Sequence, residues 1–275
     1  MLKFFNYKMN YCFIIVSLIL IFLFLPIGFV VSIREDFLNR IHKNRINFKK
    51  LMEKDTKNIK LPPVEKTNEI SKIIFQTHEN INLLPRYYIE NLKELNTNWE
   101  YVFHDKEMRR KFLLENYGKK YVDKLDSFER GAHKADLWRL CVLYKYGGCY
   151  LDADVSMFVS FEKIIKNCSE ELIIPSSIVG FNSRRLFNAM IICKPGNELI
   201  GECIKRIMLL DSKKLKNNYH YIIYLMEEIT NKNIKHEILE IHKPDSYFYF
   251  GSKPENHFMY LKEKQIAKSK REDFK

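Results

Sequence analysis

Two periods alternate along the chain. KIIFQ, from Lys72 to Gln76, is a short apolar run that suits a buried strand, and Pro85 then fits the first turn of a helix reaching about Asn96. WEYVF, from Trp99 to Phe103, reads as a second strand. Asp105 is placed to cap the helix that follows, in which Met108, Phe112 and Leu113 are spaced for one buried face. Beyond Gly118, helical spacing returns between His133 and Tyr146, with Leu137, Leu140, Cys141 and Tyr144 on one side, and Gly147-Gly148 predicts the stop. CYLDADVSMFV, from Cys149, predicts the next strand. Further strands are expected near Leu172 to Ile174 and Ala189 to Cys193, and helices near Glu198 to Leu210 and Tyr219 to Ile229. This alternation predicts an α/β sheet with largely parallel strands and shows no internal repeat.

Ahead of this body the pattern changes. Tyr11 to Ile33 is an uncharged, mostly apolar run of 23 residues, long enough at ~1.5 Å per residue to span a ~30 Å hydrocarbon layer as one helix. A cleaved signal peptide would have an apolar region of only ~7 to 15 residues. The expected organisation is a short tail (residues 1–10), a transmembrane anchor (11–33), a polar stalk (34–69) ending in Leu61-Pro62-Pro63, a folded body (70–260) and a basic tail (261–275). The Lys-rich segment from Lys262 to Glu272 is expected to be a mobile, solvated end.

Composition adds charge and removes alternatives. Of 275 residues, 46% are hydrophobic and 14% aromatic, which excludes a disordered or fibrous polymer. Forty-six Lys and Arg against 34 Asp and Glu give +12, a surplus that favours phosphates, nucleic acid or an anionic membrane face without choosing among them. The six cysteines form no CxxC pair, so neither a zinc site nor a disulfide framework is expected.

The candidate chemistry lies in four charged residues. Asp152 and Asp154 would share one face of a regular strand, and at a strand end both could approach one hard cation such as Mg²⁺ or Mn²⁺, which would neutralise a diphosphate leaving group. A D-x-D tripeptide alone is a weak signal, since two acids often simply end a strand. One helix upstream, Asp136 and Arg139 are three apart and so neighbours on a helix face. They read either as a surface ion pair, worth at most ~1 kcal/mol, or as a carboxylate and guanidinium holding a sugar and its phosphate. His133 and Lys134 read as a solvated helix start.

GAHKADLWRLCVLYKYGGCYLDADV, from Gly131 to Val155, closely resembles the signature of glycosyltransferase family 32, the DXD-containing sugar transferases that contain initiating mannosyltransferases, sphingolipid mannosyltransferases and capsular-polysaccharide enzymes. IIFQTHEN (Ile73 to Asn80) is similar to the family's opening strand, with His78 where Trp is usual, and NWEYVFHDKE (Asn98 to Glu107) resembles its second strand. The resemblance covers about residues 70 to 200.

It implies a GT-A-like, Rossmann-like nucleotide-sugar-binding domain, here behind a single N-terminal transmembrane helix, with Mn²⁺ or Mg²⁺ and transfer with retention. Carried over by position, Asp152 and Asp154 match the metal and diphosphate acids, Asp136 and Arg139 the donor-sugar contacts, and Gln76 the meeting of the first strand with the nucleotide. His257, with His242 second, is the candidate for a C-terminal metal ligand. The implied reaction moves a hexose, mannose from GDP-mannose first and UDP-galactose or UDP-glucose as runner-up, to a glycan or glycolipid hydroxyl. A non-catalytic basic membrane protein binding anionic lipid or nucleic acid is the distant rival, and no nucleic acid partner is expected. The Lys and Arg count around the span favours a cytoplasmic body, whereas the resemblance favours a type II protein with a lumenal, Golgi-like catalytic domain and Asn167-Cys168-Ser169 open to glycosylation.

Overall fold

The structure is a computed structural model and describes residues 48–84, 86–168, 171–179, 183–216, 218–230, 238–242, 256–261 and 264–270. The 11–33 run lies outside these residues. Among the described residues no helix is long and apolar enough to cross a membrane.

The chain opens on a short helix α1 (Lys49–Met52) and then runs to β1 (Ile73–Thr77), a 3₁₀ turn at Ile81–Leu83, α2 (Arg86–Leu95) and β2 (Glu100–His104). α3 (Lys106–Tyr117) follows, begun by the Asp105 side chain accepting from Met108 N–H at 2.8 Å, as the sequence predicts. Next come α4 (Lys119–Asp126), α5 (Gly131–Tyr146), β3 (Gly148–Leu151), β4 (Val155–Met157) and α6 (Phe161–Lys166). The remainder is β5 (Leu172–Ile173), β6 (Ser176–Val179), β7 (Ser183–Leu186), β8 (Met190–Cys193), α7 (Glu198–Met208), α8 (Lys213–Lys216), α9 (Tyr221–Thr230), β9 (Ile238–His242), β10 (Asn256–Leu261) and β11 (Lys264–Lys270).

Two sheets result, ordered β2-β1-β3-β8-β5 and β4-β11-β10-β9-β6-β7. β1 pairs in parallel with both β2 and β3, but β8 runs antiparallel to β3 and to β5. The expectation of largely parallel strands therefore holds only for the first three. Parallel pairing needs a helical crossover, which α2 and the α3–α5 run supply, whereas β5 and β8 are joined through the β6–β7 hairpin of the other sheet, with no helix between them.

α5 is the spine of the body. Leu137, Trp138, Leu140, Cys141, Val142 and Leu143 are all buried, so the helix is covered all round rather than on the single face expected. It ends at Gly147 (φ +66) and Gly148 (φ +92), as the glycine pair predicts. A Cβ at Gly148 would lie 2.5 Å from the Ile73 carbonyl oxygen, so the glycine lets β3 start against β1.

Several other expectations are corrected by packing. Met108 is exposed, leaving Phe112 and Leu113 as the buried face of α3, and α4 is a helix that the pattern did not announce. His133 is buried, with Nε2 3.1 Å from the Tyr219 carbonyl oxygen, not part of a solvated helix start. Of the expected stalk, Phe48, Leu51 and Ile59 lie in the main core, and Arg206 donates from Nη1 to the carbonyls of Leu51 and Lys54 at 2.7 and 2.8 Å. Of the expected solvated tail, Lys264–Lys270 is β11, paired on both edges, with β4 and with β10. Backbone pairing satisfies its peptide groups whatever its lysines do.

Candidate donor-sugar site

The expected strand from Cys149 does not continue through its acids. β3 stops at Leu151 and β4, in the other sheet, starts at Val155, so Asp152, Ala153 and Asp154 form the turn between the sheets. Backbone bonds fix that turn: Asp152 N–H donates to the Ala189 carbonyl at 2.7 Å, and Val155 N–H to the Asp152 carbonyl at 3.1 Å. The two carboxylates thus sit on a turn at the carboxyl ends of β1 and β3 and do not share a strand face. The chain leaves β1 toward β2 on one side and returns to β3 on the other, and such switch points are where open α/β sheets bind ligands.

Four of the predicted residues converge there. Arg139 Nη2 is 3.1 Å from Asp152 Oδ1 and 3.4 Å from Asp136 Oδ1. Gln76 Nε2 donates to the Asp152 carbonyl oxygen at 3.3 Å. Asp154 lies in the same turn. The Asp136–Arg139 pair is no surface ion pair, since their side chains are 8% and 5% exposed, whereas Asp152 is 32% exposed and opens to solvent.

Residues that the sequence reading did not single out hold this arrangement. Asn188, at the entrance to β8, donates from Nδ2 to Asp136 Oδ1 at 2.8 Å and accepts from Arg139 Nη1 on its own carbonyl. Tyr150 donates its hydroxyl to Asp152 Oδ1 and lies under the guanidinium, 4.2 Å from ring centroid to Cζ. Tyr101 donates its hydroxyl to Gln76 Oε1 at 3.0 Å, which leaves the Gln76 amide nitrogen for Asp152. Tyr150 was findable, because strand period places it two residues before Asp152. Asn188 carried no local signal, being 52 residues from its partner.

Burial decides the electrostatics. It pushes the Asp136 carboxyl above its ordinary range, with Arg139 and the Asn188 bond opposing. Burial alone would lower Arg139, but the carboxylates of Asp152 and Asp136 outweigh it and hold the guanidinium firmly charged. Burial also raises the Tyr150 phenol, so its proton stays to be donated. Arg139 Nε is buried with no hydrogen-bond partner among the described residues.

Among the described residues no three His, Cys, Asp or Glu side chains gather as a metal site. Two adjacent carboxylates nonetheless suit Mg²⁺ or Mn²⁺, which use few protein ligands and take the rest from water and phosphates. The β-register brings His257 into line with the turn: it pairs with Ser269 of β11, which pairs with Val155, the residue after Asp154. His242 is the register partner of His257 on the far side.

Asp136, Arg139, Asp152 and Asp154 lie in a segment that is similar to known proteins. Residues 84–170 match the family model described as "Glycosyltransferase sugar-binding region containing DXD motif". The chain is 35% identical over 88 residues to an uncharacterized glycosyltransferase of Acanthamoeba polyphaga mimivirus, covering 32% of this chain and 35% of that protein. It is 37% identical over 89 residues to inositol phosphoceramide mannosyltransferase 3 of Schizosaccharomyces pombe, covering 31% of this chain and 24% of that protein. The similarity thus spans about a third or less of these relatives. Among solved structures, PaToxG glycosyltransferase aligns with 16% identity over 63% of this chain and 72% of its own, at a TM-score of 0.39, a level at which the likeness decides nothing.

Proposed function

We propose that the chain, whose residues 84–170 match the glycosyltransferase family whose sugar-binding region contains a DXD motif, is a metal-dependent, retaining hexosyltransferase with a GT-A-like body. It takes a nucleotide sugar and glycosylates a glycan or glycolipid hydroxyl. The observation that carries this reading is the bond from Arg139 to Asp152, which ties the helix of the motif to its acidic turn at the sheet's switch point.

Asp152 and Asp154, with His257 as the third candidate ligand, would hold Mn²⁺ or Mg²⁺. Bound there, the ion supplies the Lewis acid that neutralises the diphosphate leaving group. Gln76, held by Tyr101, fixes the backbone of the turn and stands where β1 meets the nucleotide. Asp136 and Arg139 bind the donor sugar and its phosphate: the carboxyl accepts from sugar hydroxyls, and the guanidinium donates to an oxygen of the donor. Tyr150 and Asn188 keep these groups in place before substrate arrives, so little reorganisation remains for the reacting state.

Mannose from GDP-mannose is the first donor proposed, supported by the similarity to the inositol phosphoceramide mannosyltransferases of Schizosaccharomyces pombe; UDP-galactose or UDP-glucose is the alternative. The 11–33 run anchors the body to a membrane as a type II protein with a lumenal catalytic domain. Asn167 is exposed at the end of α6, as a glycosylation acceptor must be. Protease protection in sealed microsomes tests the orientation, and digestion of the body without detergent would reverse it. A panel of nucleotide sugars with Mn²⁺, read by nucleotide release, tests the activity. Release from one donor with transfer to an acceptor is expected, and silence with every donor would contradict the proposal.

A further inference from the structure

A second buried guanidinium holds a second exposed carboxylate at the carboxyl end of the first sheet. Arg109, on the first turn of α3, has a side chain only 3% exposed, and its Nη2 donates to Oε1 of Glu79, which is 54% exposed, at 2.8 Å. Nη1 donates to the Thr77 hydroxyl at 2.7 Å, and that hydroxyl donates to the His104 carbonyl at 2.6 Å. Thr77 and His104 are the last residues of β1 and β2. Glu79, in the connection that leaves β1, is therefore fixed at the ends of both strands. It also lies against the start of α5, since a Cβ on Gly131 would be 3.6 Å from Glu79 Oε1.

Among the described residues, two ion pairs join a guanidinium less than a tenth exposed to a carboxylate on another element: Arg139 with Asp152 and Arg109 with Glu79. The remaining pairs lie on one helix, as Arg206 with Glu202 does, or use a cation more open to water. Enclosing a guanidinium costs hydration that a pair half open to water returns only in part. A gain in stability therefore does not account for the arrangement, whereas holding a carboxylate ready for a ligand does.

The direction of the donor says which ligand group Glu79 meets. Sugar and nucleoside leave opposite ends of a diphosphate. In the proposed site the sugar lies with Asp136 and Arg139, both bonded to Asn188 at the entrance of β8. The strand order is β2-β1-β3-β8, and the acidic turn follows β3. With the sugar on the β8 side of that turn, the nucleoside extends over the ends of β1 and β2, in the crevice outside the carboxyl ends of the strands. Neighbouring strands are ~4.8 Å apart. The ribose, next to the phosphates, spans the first spacing, and the base arrives between β1 and β2, where Glu79 is held.

A carboxylate at that place chooses among bases. It only accepts hydrogen bonds, and Arg109 is the one partner of the Glu79 carboxylate among the described residues, which leaves Oε2 for a ligand. Guanine presents two adjacent donors, N1–H and the 2-amino group, to one carboxylate. Uracil presents a single N–H flanked by two carbonyl oxygens, which a carboxylate repels. We propose that Glu79, positioned by Arg109, reads the base of the donor and selects guanine. The proposal rests on the donor site given under the proposed function and decides between its two classes of nucleotide sugar in favour of the guanosine diphosphate one.

Isothermal titration of GDP, IDP and UDP into the full chain with Mn²⁺, for the wild type and Glu79→Gln, tests this. IDP is GDP without the 2-amino group. The wild type should bind GDP at least about tenfold more tightly than IDP or UDP, the usual worth of a hydrogen bond to a charged group. Glu79→Gln, whose amide oxygen can still accept from Arg109, should keep a melting temperature near that of the wild type. It should bind GDP at least about tenfold more weakly and no longer distinguish GDP from IDP, while binding UDP no more weakly than the wild type does. A wild type that prefers UDP, or a preference for GDP over IDP that survives in Glu79→Gln, overturns the proposal. Equal losses of GDP and UDP would make Glu79 a ribose or scaffold residue and also overturn it. If none of the three nucleotides binds the wild type, the donor site itself is wrong and the proposal falls with it.

Discussion

Arg139 and Asp152 meet at 3.1 Å although one lies in the middle of a buried helix and the other in a turn between two sheets. The guanidinium is almost wholly enclosed, while the carboxylate is about a third exposed. A charge fixed in the interior therefore positions a carboxylate at the surface. Arg139 also bonds the Asn188 carbonyl and lies close to Asp136, so its planar fork connects α5, the acidic turn and the entrance of β8.

Arg139→Lys keeps the charge and loses the fork. It is expected to fold but to lose at least about tenfold in kcat/KM, because an ammonium cannot serve all three partners in one plane. Arg139→Ala leaves Asp136 buried beside no cation and is expected to cost about 3–5 kcal/mol of stability. Thermal melts and donor-dependent turnover of both variants check this. A lysine variant with unchanged kcat/KM would remove Arg139 from the site.

Asn188→Leu removes the donor to Asp136 at similar volume. The unsatisfied buried carboxyl should cost about 1–3 kcal/mol. Donor KM should rise more than kcat falls, since the residue positions Asp136 without being placed to touch the reacting atoms. A melting temperature and KM equal to those of the wild type would contradict the bond observed at 2.8 Å.

Acid sensitivity is expected from a pair beneath the site. Trp138 Nε1–H can only donate, and it points at His104 Nδ1 at 3.2 Å, so that nitrogen must carry no proton. Burial lowers the His104 pKa below 6.5, Asp105 opposes and Arg109 adds to the fall. The unfolded chain then binds the extra proton first as pH drops, and the stability present above about pH 6.5 is lost as pH falls toward the folded value. Melts at pH 7.5 and 5.5 should show a larger loss for the wild type than for His104→Asn, which can still accept from Trp138. Equal losses would mean that His104 does not titrate in this way.

Where local pattern carried the information, the sequence was enough to read the fold. KIIFQ, WEYVF, the Asp105 cap and the glycine pair each announce their element within one or two residues, since period, caps and positive φ are short-range properties. Asp136, Arg139, Asp152 and Gln76 were legible because their spacing resembles a known signature. What escaped was long-range. Asn188 meets Asp136 through the return of β8, the acidic turn breaks between two sheets whose pairing lies far away in sequence, and the tail lysines enter a strand because β4 and β10 offer it two edges. Phe48, Leu51 and Ile59 pack into the core and Arg206 bonds the Leu51 and Lys54 carbonyls, contacts that composition cannot show.

The central claim is that the Asp152-Ala153-Asp154 turn holds a divalent cation together with the donor diphosphate. Titration of Mn²⁺ into the full chain with GDP or UDP present, followed by the loss of the free-ion paramagnetic resonance signal, tests it most directly. One bound Mn²⁺ per chain is expected for the wild type, strengthened by nucleotide. Binding should weaken at least about tenfold in Asp154→Asn, while its melting temperature without metal stays near that of the wild type. Equal Mn²⁺ binding by both proteins, or transfer that persists in EDTA, would contradict the account.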